Sequence, residues 1–200
     1  MSNVLIIIVA YLLGSIPTGL WIGKAFFKTD IREHGSKNLG ATNSFRILGK
    51  KAGLIVTLVD VFKGTAAVLL PLLPFFSEST ISPLLLGVIA LIGHMFPVFA
   101  GFRGGKAVAT SAGVLLGVSW PLFILLFFVF FGSLKMFKMV SLTSIISATT
   151  AFIYGIIYLV VTGSWGLCLM TACLWLFIVY RHRDNIKRIK NGTEPKVKWI

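Results

Sequence analysis

Long apolar runs separated by short polar stretches dominate the chain. Runs over residues 4–27, 53–76, 83–99 and 140–161 reach or approach the roughly 20 residues that a helix needs to cross the hydrocarbon core of a bilayer. A fifth, 165–180, is slightly shorter. The stretch 107–134 admits two readings: one tilted helix, or two short helices broken at Gly117-Val118-Ser119-Trp120-Pro121. No repeat, low-complexity tract or long linker marks a second domain, so residues 1–200 are expected to form a single transmembrane domain. The pattern predicts an all-α polytopic integral membrane helical bundle.

Charge placement decides the number of spans. Of the 19 Lys and Arg residues, only Lys63 lies in the middle of an apolar run; the others fall within 24–51, which takes in Lys24 at the end of the first run, and within 103–106, 135–138 and 181–198. One helix over 107–134 gives six spans and divides these groups evenly between the two sides. Two helices give seven spans and place them all on one side, as the positive-inside rule favours. The expectation is therefore about seven transmembrane helices, with the N-terminus outside, the C-terminus cytoplasmic, and the polar turns 77–82 and 162–164 outside. At about 1.5 Å per residue, 107–119 reaches only about 20 Å, which sets the residues just before it deep in the cytoplasmic leaflet. The first run lacks the basic start and small-residue cleavage site of a signal peptide and reads as a retained span.

Composition narrows the class further. With 56% hydrophobic and 12% charged residues, the chain carries too little charge for the surface of a soluble domain of this length. The net charge of +13 lies in short stretches between apolar runs rather than in one basic fold. That placement fits anionic headgroups or phosphorylated substrates and not nucleic acid. Cys168 and Cys173 have neither metal-site nor redox spacing and read as packing residues.

Three polar clusters lie on the predicted cytoplasmic face. The first runs over 35–46, where Arg46 can grip phosphate oxygens by two parallel bonds and Ser36, Asn38 and Asn43 offer neutral partners for hydroxyls. Thr42 or Asn43 is expected to cap the following helix; a plain cytoplasmic turn is the alternative. The second runs over 93–106 and includes His94, Arg103, Gly104, Gly105 and Lys106. Its glycines either allow close approach of backbone to phosphate or break a helix, and Arg103 contacts either substrate or headgroup. Ala100 and Ala107 stand where a nucleotide-binding P-loop needs Gly and Ser or Thr, so ATP and magnesium are not expected. The third follows the last span over 182–194; His182 and Asn185, three apart, are expected on one helical face, and Glu194 to orient a cationic group. Two smaller features remain open at this level. Asp60 and Lys63 either pair structurally or line a polar site, and Ser141 and Ser144 either cap a helix or touch phosphate.

These clusters resemble, in order, the three motifs of the bacterial membrane-embedded, acyl-phosphate-dependent glycerol-3-phosphate acyltransferase family. Gly-Ser-x-Asn-x-Gly-Ala-Thr-Asn-x-x-Arg stands at Gly35 to Arg46. Gly-His-x-Phe-Pro-Val-Phe followed by Gly-Gly-Lys stands at Gly93 to Lys106, and His-Arg-x-Asn-Ile-x-Arg to Gly-x-Glu at His182 to Glu194. The resemblance covers essentially the whole chain. It implies transfer of a fatty acyl group from acyl phosphate to the sn-1 hydroxyl of glycerol 3-phosphate, giving lysophosphatidic acid and inorganic phosphate, the first acylation of phospholipid synthesis.

By the same resemblance, Lys106, His182, Asn185 and Ser36 are catalytic. Asn38, Thr42, Asn43, Arg46, His94, Arg103, Gly104, Gly105, Arg183, Arg188 and Glu194 bind substrate; Ser141 and Ser144, outside the motifs, are counted with them as candidate substrate contacts on their placement alone. No metal or cofactor is implied. The implied partners are the two substrates and membrane lipids, with a contact to the soluble enzyme that makes acyl phosphate left open. The implied location is the bacterial inner (cytoplasmic) membrane, with the three loops meeting at the inner leaflet. The proton acceptor is either His182 or an oxygen of the acyl phosphate. A His-x4-Asp acyltransferase is excluded, since Leu39, Phe99 and Lys187 stand five residues after the three histidines, and no Gly-x-Ser-x-Gly elbow is present. A phosphate-ester transporter is the rival of a different class, against which the absence of repeats counts.

Overall fold

The structure is a computed structural model and describes residues 2–197. Among them every regular element is a helix: α1 (Ser2–Ser15), α2 (Thr18–Phe27), α3 (Ala41–Ile47), α4 (Lys50–Leu69), α5 (Pro83–Met95), α6 (Val108–Val118), α7 (Trp120–Phe137), α8 (Val140–Thr162), α9 (Trp165–Arg181) and α10 (Arg183–Lys190). The chain divides between Val118 and Ser119 into two compact units. Helices α4, α7 and α8 and the stretch Pro83–Ala100 are long and apolar enough to cross a membrane. The pairs α1–α2 and α9–α10 pass the same test as bent spans, and α6 is a shorter apolar helix. Two helices therefore replace one over 107–134, and Pro121, tolerated in the first turn where its missing N–H costs nothing, starts the second.

The first apolar run departs from a single continuous helix. It bends by 46° between Ser15 and Thr18, because Pro17 cannot donate to the helical ladder. In the first unit, α1, α4 and α5 enclose Ile6, Ala10, Ala67, Leu86 and Ala90. Helices α4 and α6 pack closely because Gly64 faces the Thr110 carbonyl and Gly113 the Val61 backbone, so a Cβ at either would collide. Asn3 accepts from the Ser79 hydroxyl at 2.9 Å and the Thr80 N–H at 3.1 Å. The start of α1 and the α4–α5 turn thus share one end. In the second unit, α8 packs against both α7 and α9, burying Ala148, Ala151, Met170 and Leu174.

Candidate active site

A small core positions the first two polar clusters. Leu20, Ile31, Leu39, Leu48, Ala52 and Ala100 pack together beneath the 28–40 loop. Asp30 caps the turn Ile31–Glu33 and receives Arg32 Nε and Nη2 at 2.9 and 2.7 Å. Arg32 Nη1 reaches on to the Ala100 carbonyl at 3.0 Å, which ties the first cluster to the second. This link has no signal in the sequence beyond a charged pair two residues apart.

Asn43 organises the first cluster from within. Its amide is 1% exposed, donates to the carbonyls of Ile31 (2.8 Å), Asn38 (3.0 Å) and His34 (3.1 Å), and accepts from Ser36 N–H at 2.9 Å. The expected capping role is corrected: Asn43 and Thr42 lie inside α3, and Gly40 is its N-cap with no side-chain bond. Asn38 Oδ1 accepts from Gly40 N–H at 2.8 Å. With the loop folded inward on Asn43, Ser36 and Arg46 are exposed and Thr42 is half-buried.

The second cluster turns back against the end of α5. Gly104 N–H donates to the Met95 carbonyl and Gly105 N–H to the His94 carbonyl, each at 3.1 Å. A Cβ on Gly104 would overlap the His94 carbonyl, and one on Gly105 the His94 imidazole. The two glycines therefore serve close packing rather than a helix break, and they deliver Lys106, half-buried, to the start of α6. Ala107 follows at φ 59°, a left-handed conformation that costs a non-glycine residue about 1–2 kcal/mol. His94 is 7% exposed, its Nδ1 3.0 Å from Thr110 Oγ1 and 3.9 Å from Asp60 Oδ1. Arg103 lines an open depression of about 440 Å³ with Asp30, Arg32, Glu33, Ala100 and Gly101.

The third cluster lies in the second unit. Helices α9 and α10 meet at 61°, and His182 stands at the corner as the N-cap of α10, its carbonyl accepting from Ile186 N–H at 2.8 Å, three residues before the likewise buried Asn185. His182 is 3% exposed and its Nδ1 lies 2.8 Å from the Ile178 carbonyl oxygen. Glu194 gathers three donors: Ser141 Oγ and Asn185 Nδ2, both 2.6 Å from Oε1, and Arg188 Nε, 2.7 Å from Oε2. Burial alone raises its pKa, but these hydrogen bonds and the Arg188 charge outweigh that, and the carboxyl falls below its ordinary value. Ser144 donates to the Val140 carbonyl at 2.8 Å, and Met139, not a serine, precedes α8 as its N-cap. The capping reading of Ser141 and Ser144 is thereby corrected. Arg183 lies over the Tyr180 ring at 4.8 Å.

Comparisons with known proteins agree with one another. A family model described as glycerol-3-phosphate acyltransferase matches residues 4–192, through both compact units. A glycerol-3-phosphate acyltransferase of Listeria monocytogenes serovar 1/2a is 55% identical over 98% of each chain. One from Streptococcus pneumoniae (strain Hungary19A-6) is 50% identical over 100% of this chain and 95% of its own. The crystal structure of PlsY (YgiH), an integral membrane glycerol 3-phosphate acyltransferase, in its glycerol 3-phosphate form is similar with a TM-score of 0.88 at 38% identity, over 98% of this chain and 96% of that one. Its lysophosphatidic acid form gives 0.85 at the same identity, over 98% and 95%. A chain of apolar spanning helices with these likenesses along almost its whole length is an integral membrane acyltransferase. It belongs to the glycerol-3-phosphate acyltransferase family.

Proposed function

We propose that the chain transfers a fatty acyl group from acyl phosphate to the sn-1 hydroxyl of glycerol 3-phosphate, giving lysophosphatidic acid and inorganic phosphate as the first acylation of phospholipid synthesis. One observation carries the reading: the similar PlsY has been solved in a glycerol 3-phosphate form and a lysophosphatidic acid form. Those two molecules differ by one acyl group and stand on either side of a single transfer.

An acyl phosphate is an activated mixed anhydride, so direct attack by the hydroxyl suffices and no acyl-enzyme is needed. The hydroxyl oxygen bonds to the acyl carbon, the bond from that carbon to the bridging phosphate oxygen breaks, and the electron pair leaves with phosphate. Arg46 holds the phosphate of glycerol 3-phosphate, with Ser36, Asn38 and Thr42 beside its hydroxyls. Lys106 and the N–H groups near it stabilise the departing phosphate. Asn185, held by Glu194, and Arg183 and Arg188 contact substrate from the third motif. His182 Nε2 or an acyl-phosphate oxygen takes the proton.

We further propose seven spans, formed by the α1–α2 pair and by α4, α5, α6, α7, α8 and α9, with the N-terminus outside and the site facing the cytoplasm of the bacterial inner membrane. The 11 residues of α6 give a rise of about 16 Å, against a core of about 30 Å, which sinks Lys106 toward the depth where an acyl carbonyl lies. A soluble enzyme supplying acyl phosphate would dock on this same face.

Purified protein in lipid vesicles, given acyl phosphate and glycerol 3-phosphate, is expected to form lysophosphatidic acid and inorganic phosphate one to one, and to form none from acyl-CoA. Product from acyl-CoA alone would overturn the donor. Labelling single cysteines at positions 79 and 163 from the outside tests the topology.

A further inference from the structure

Asp60 and Lys63 form an ion pair of 2.8 Å inside α4, each side chain 3% exposed. Charges at this depth are costly, and an apolar pair of similar volume would pack the helix without that cost. The neighbours show what the pair holds. Lys63 Nζ donates to the Ile16 carbonyl at 2.8 Å, at the break between α1 and α2. Asp60 Oδ1 accepts from Thr18 Oγ1 at 3.1 Å on the far side of that break and faces His94 Nδ1 at 3.9 Å. A cavity of about 10 Å³, room for about one water, is lined by Ile16, Thr18, Asp60, Lys63, His94 and Gly105 among others.

His94 in turn grips both sides of Lys106. Upstream, its carbonyl accepts from Gly105 N–H at 3.1 Å, and its ring fills the space where a Cβ of Gly105 would stand. Downstream, its Nδ1 is 3.0 Å from Thr110 Oγ1, in the first turn of α6. Between these ties the backbone makes the left-handed step at Ala107. We infer that Asp60 is a positioning residue for the acyl transfer, acting through His94 to hold the segment that carries Lys106. This rests on the role proposed above for Lys106, and the experiment separates the two.

Turnover and KM for glycerol 3-phosphate are measured in vesicles, with thermal midpoints in detergent, for Asp60→Asn, Asp60→Asn/Lys63→Met, Thr110→Val and Thr110→Ser. The expected result is a kcat lower by about tenfold to a hundredfold in the first three, with KM changed by less than about twofold, because a misplaced group loses rate before binding. The double variant recovers the thermal midpoint of the parent but not its kcat, and Thr110→Ser, which keeps the hydroxyl, restores kcat. In a His94→Gln background Asp60→Asn adds less than about twofold. A double variant that regains stability and full kcat together overturns the inference. So does a folded Thr110→Val with parental kcat, which decides the question where charge variants do not fold. If Lys106→Ala turns over normally, the underlying assignment of Lys106 fails instead.

Discussion

Asn185 Nδ2 and Glu194 Oε1 stand 2.6 Å apart, and the same carboxylate receives Ser141 and Arg188, so one side chain ties α8, α10 and the segment after α10. Glu194→Gln keeps the shape but turns an N–H₂ toward donors that need an acceptor. We expect a loss of about 1–3 kcal/mol, the cost of stranding buried polar partners, read as a lower thermal midpoint in detergent. An unchanged midpoint would remove Glu194 from the role of tie.

The acid limb of stability follows from the same carboxylate and from Asp30. Glu194 lies below its ordinary 4.5 for the reasons given above, and Asp30, chiefly through its hydrogen bond with Arg32, falls to about 2. A native pKa below the unfolded one gives stabilisation that is complete above the unfolded value and lost as pH falls through the native value. Thermal midpoints should therefore be insensitive to these groups above about pH 5 and fall below about 4.5. Asp30→Asn should remove the part of that fall between 3.8 and about 2. Wild-type slopes in both Asp30→Asn and Glu194→Gln would place the acid sensitivity elsewhere.

Gly105→Ala tests the packing of the second cluster directly. The added methyl would stand where the His94 ring is, so ring or segment must move. A displacement of about 1 Å beside a reacting group costs on the order of a hundredfold in rate. The measured kcat should fall accordingly, whereas Gly101→Ala, at a position with open space around its would-be Cβ, carries only the strain of φ 63° and should retain most turnover. Equal losses in the two would mean that the His94 contact does not govern the segment.

Much of this architecture was readable from residue pattern because bilayer spans leave a long and simple signature. The break before Trp120 is legible in Pro121 and in charge placement. The bend at His182 was not readable, since 165–190 changes from apolar to basic without a proline or glycine at the corner. Nor was the inward role of Asn43, because an asparagine that binds substrate and one that binds three carbonyls look alike in sequence. Asp60 and Lys63 stood out as charges in a span, but only folding brings Thr18, His94 and Thr110 to them.

Arg46 and Lys106 should divide binding from chemistry. Arg46 is exposed in the last turn of α3 and Lys106 is half-buried before α6. Arg46→Ala is expected to raise KM for glycerol 3-phosphate with a smaller effect on kcat. Lys106→Ala is expected to lower kcat by about a hundredfold or more, the cost of one preorganised donor to a developing anion. The reverse split would exchange the two roles.

A variant at His182 tests which group accepts the proton. A carbonyl oxygen only accepts, so the 2.8 Å contact between Nδ1 and Ile178 O puts the ring proton on Nδ1 and, in the neutral ring, leaves the lone pair on Nε2. That tautomer is the one a general base needs, and it is set by the end of α9 rather than by substrate. We therefore expect His182→Gln to lower kcat/KM by about 10²–10⁴ and to flatten the acid limb of its pH profile. Glutamine still offers an amide oxygen and amide hydrogens but cannot take up a proton, so a loss confined to binding would appear in KM alone. A variant that keeps most of its rate and the parental profile would move the proton to an oxygen of the acyl phosphate. His182 would then be a residue that orients substrate at the corner between α9 and α10.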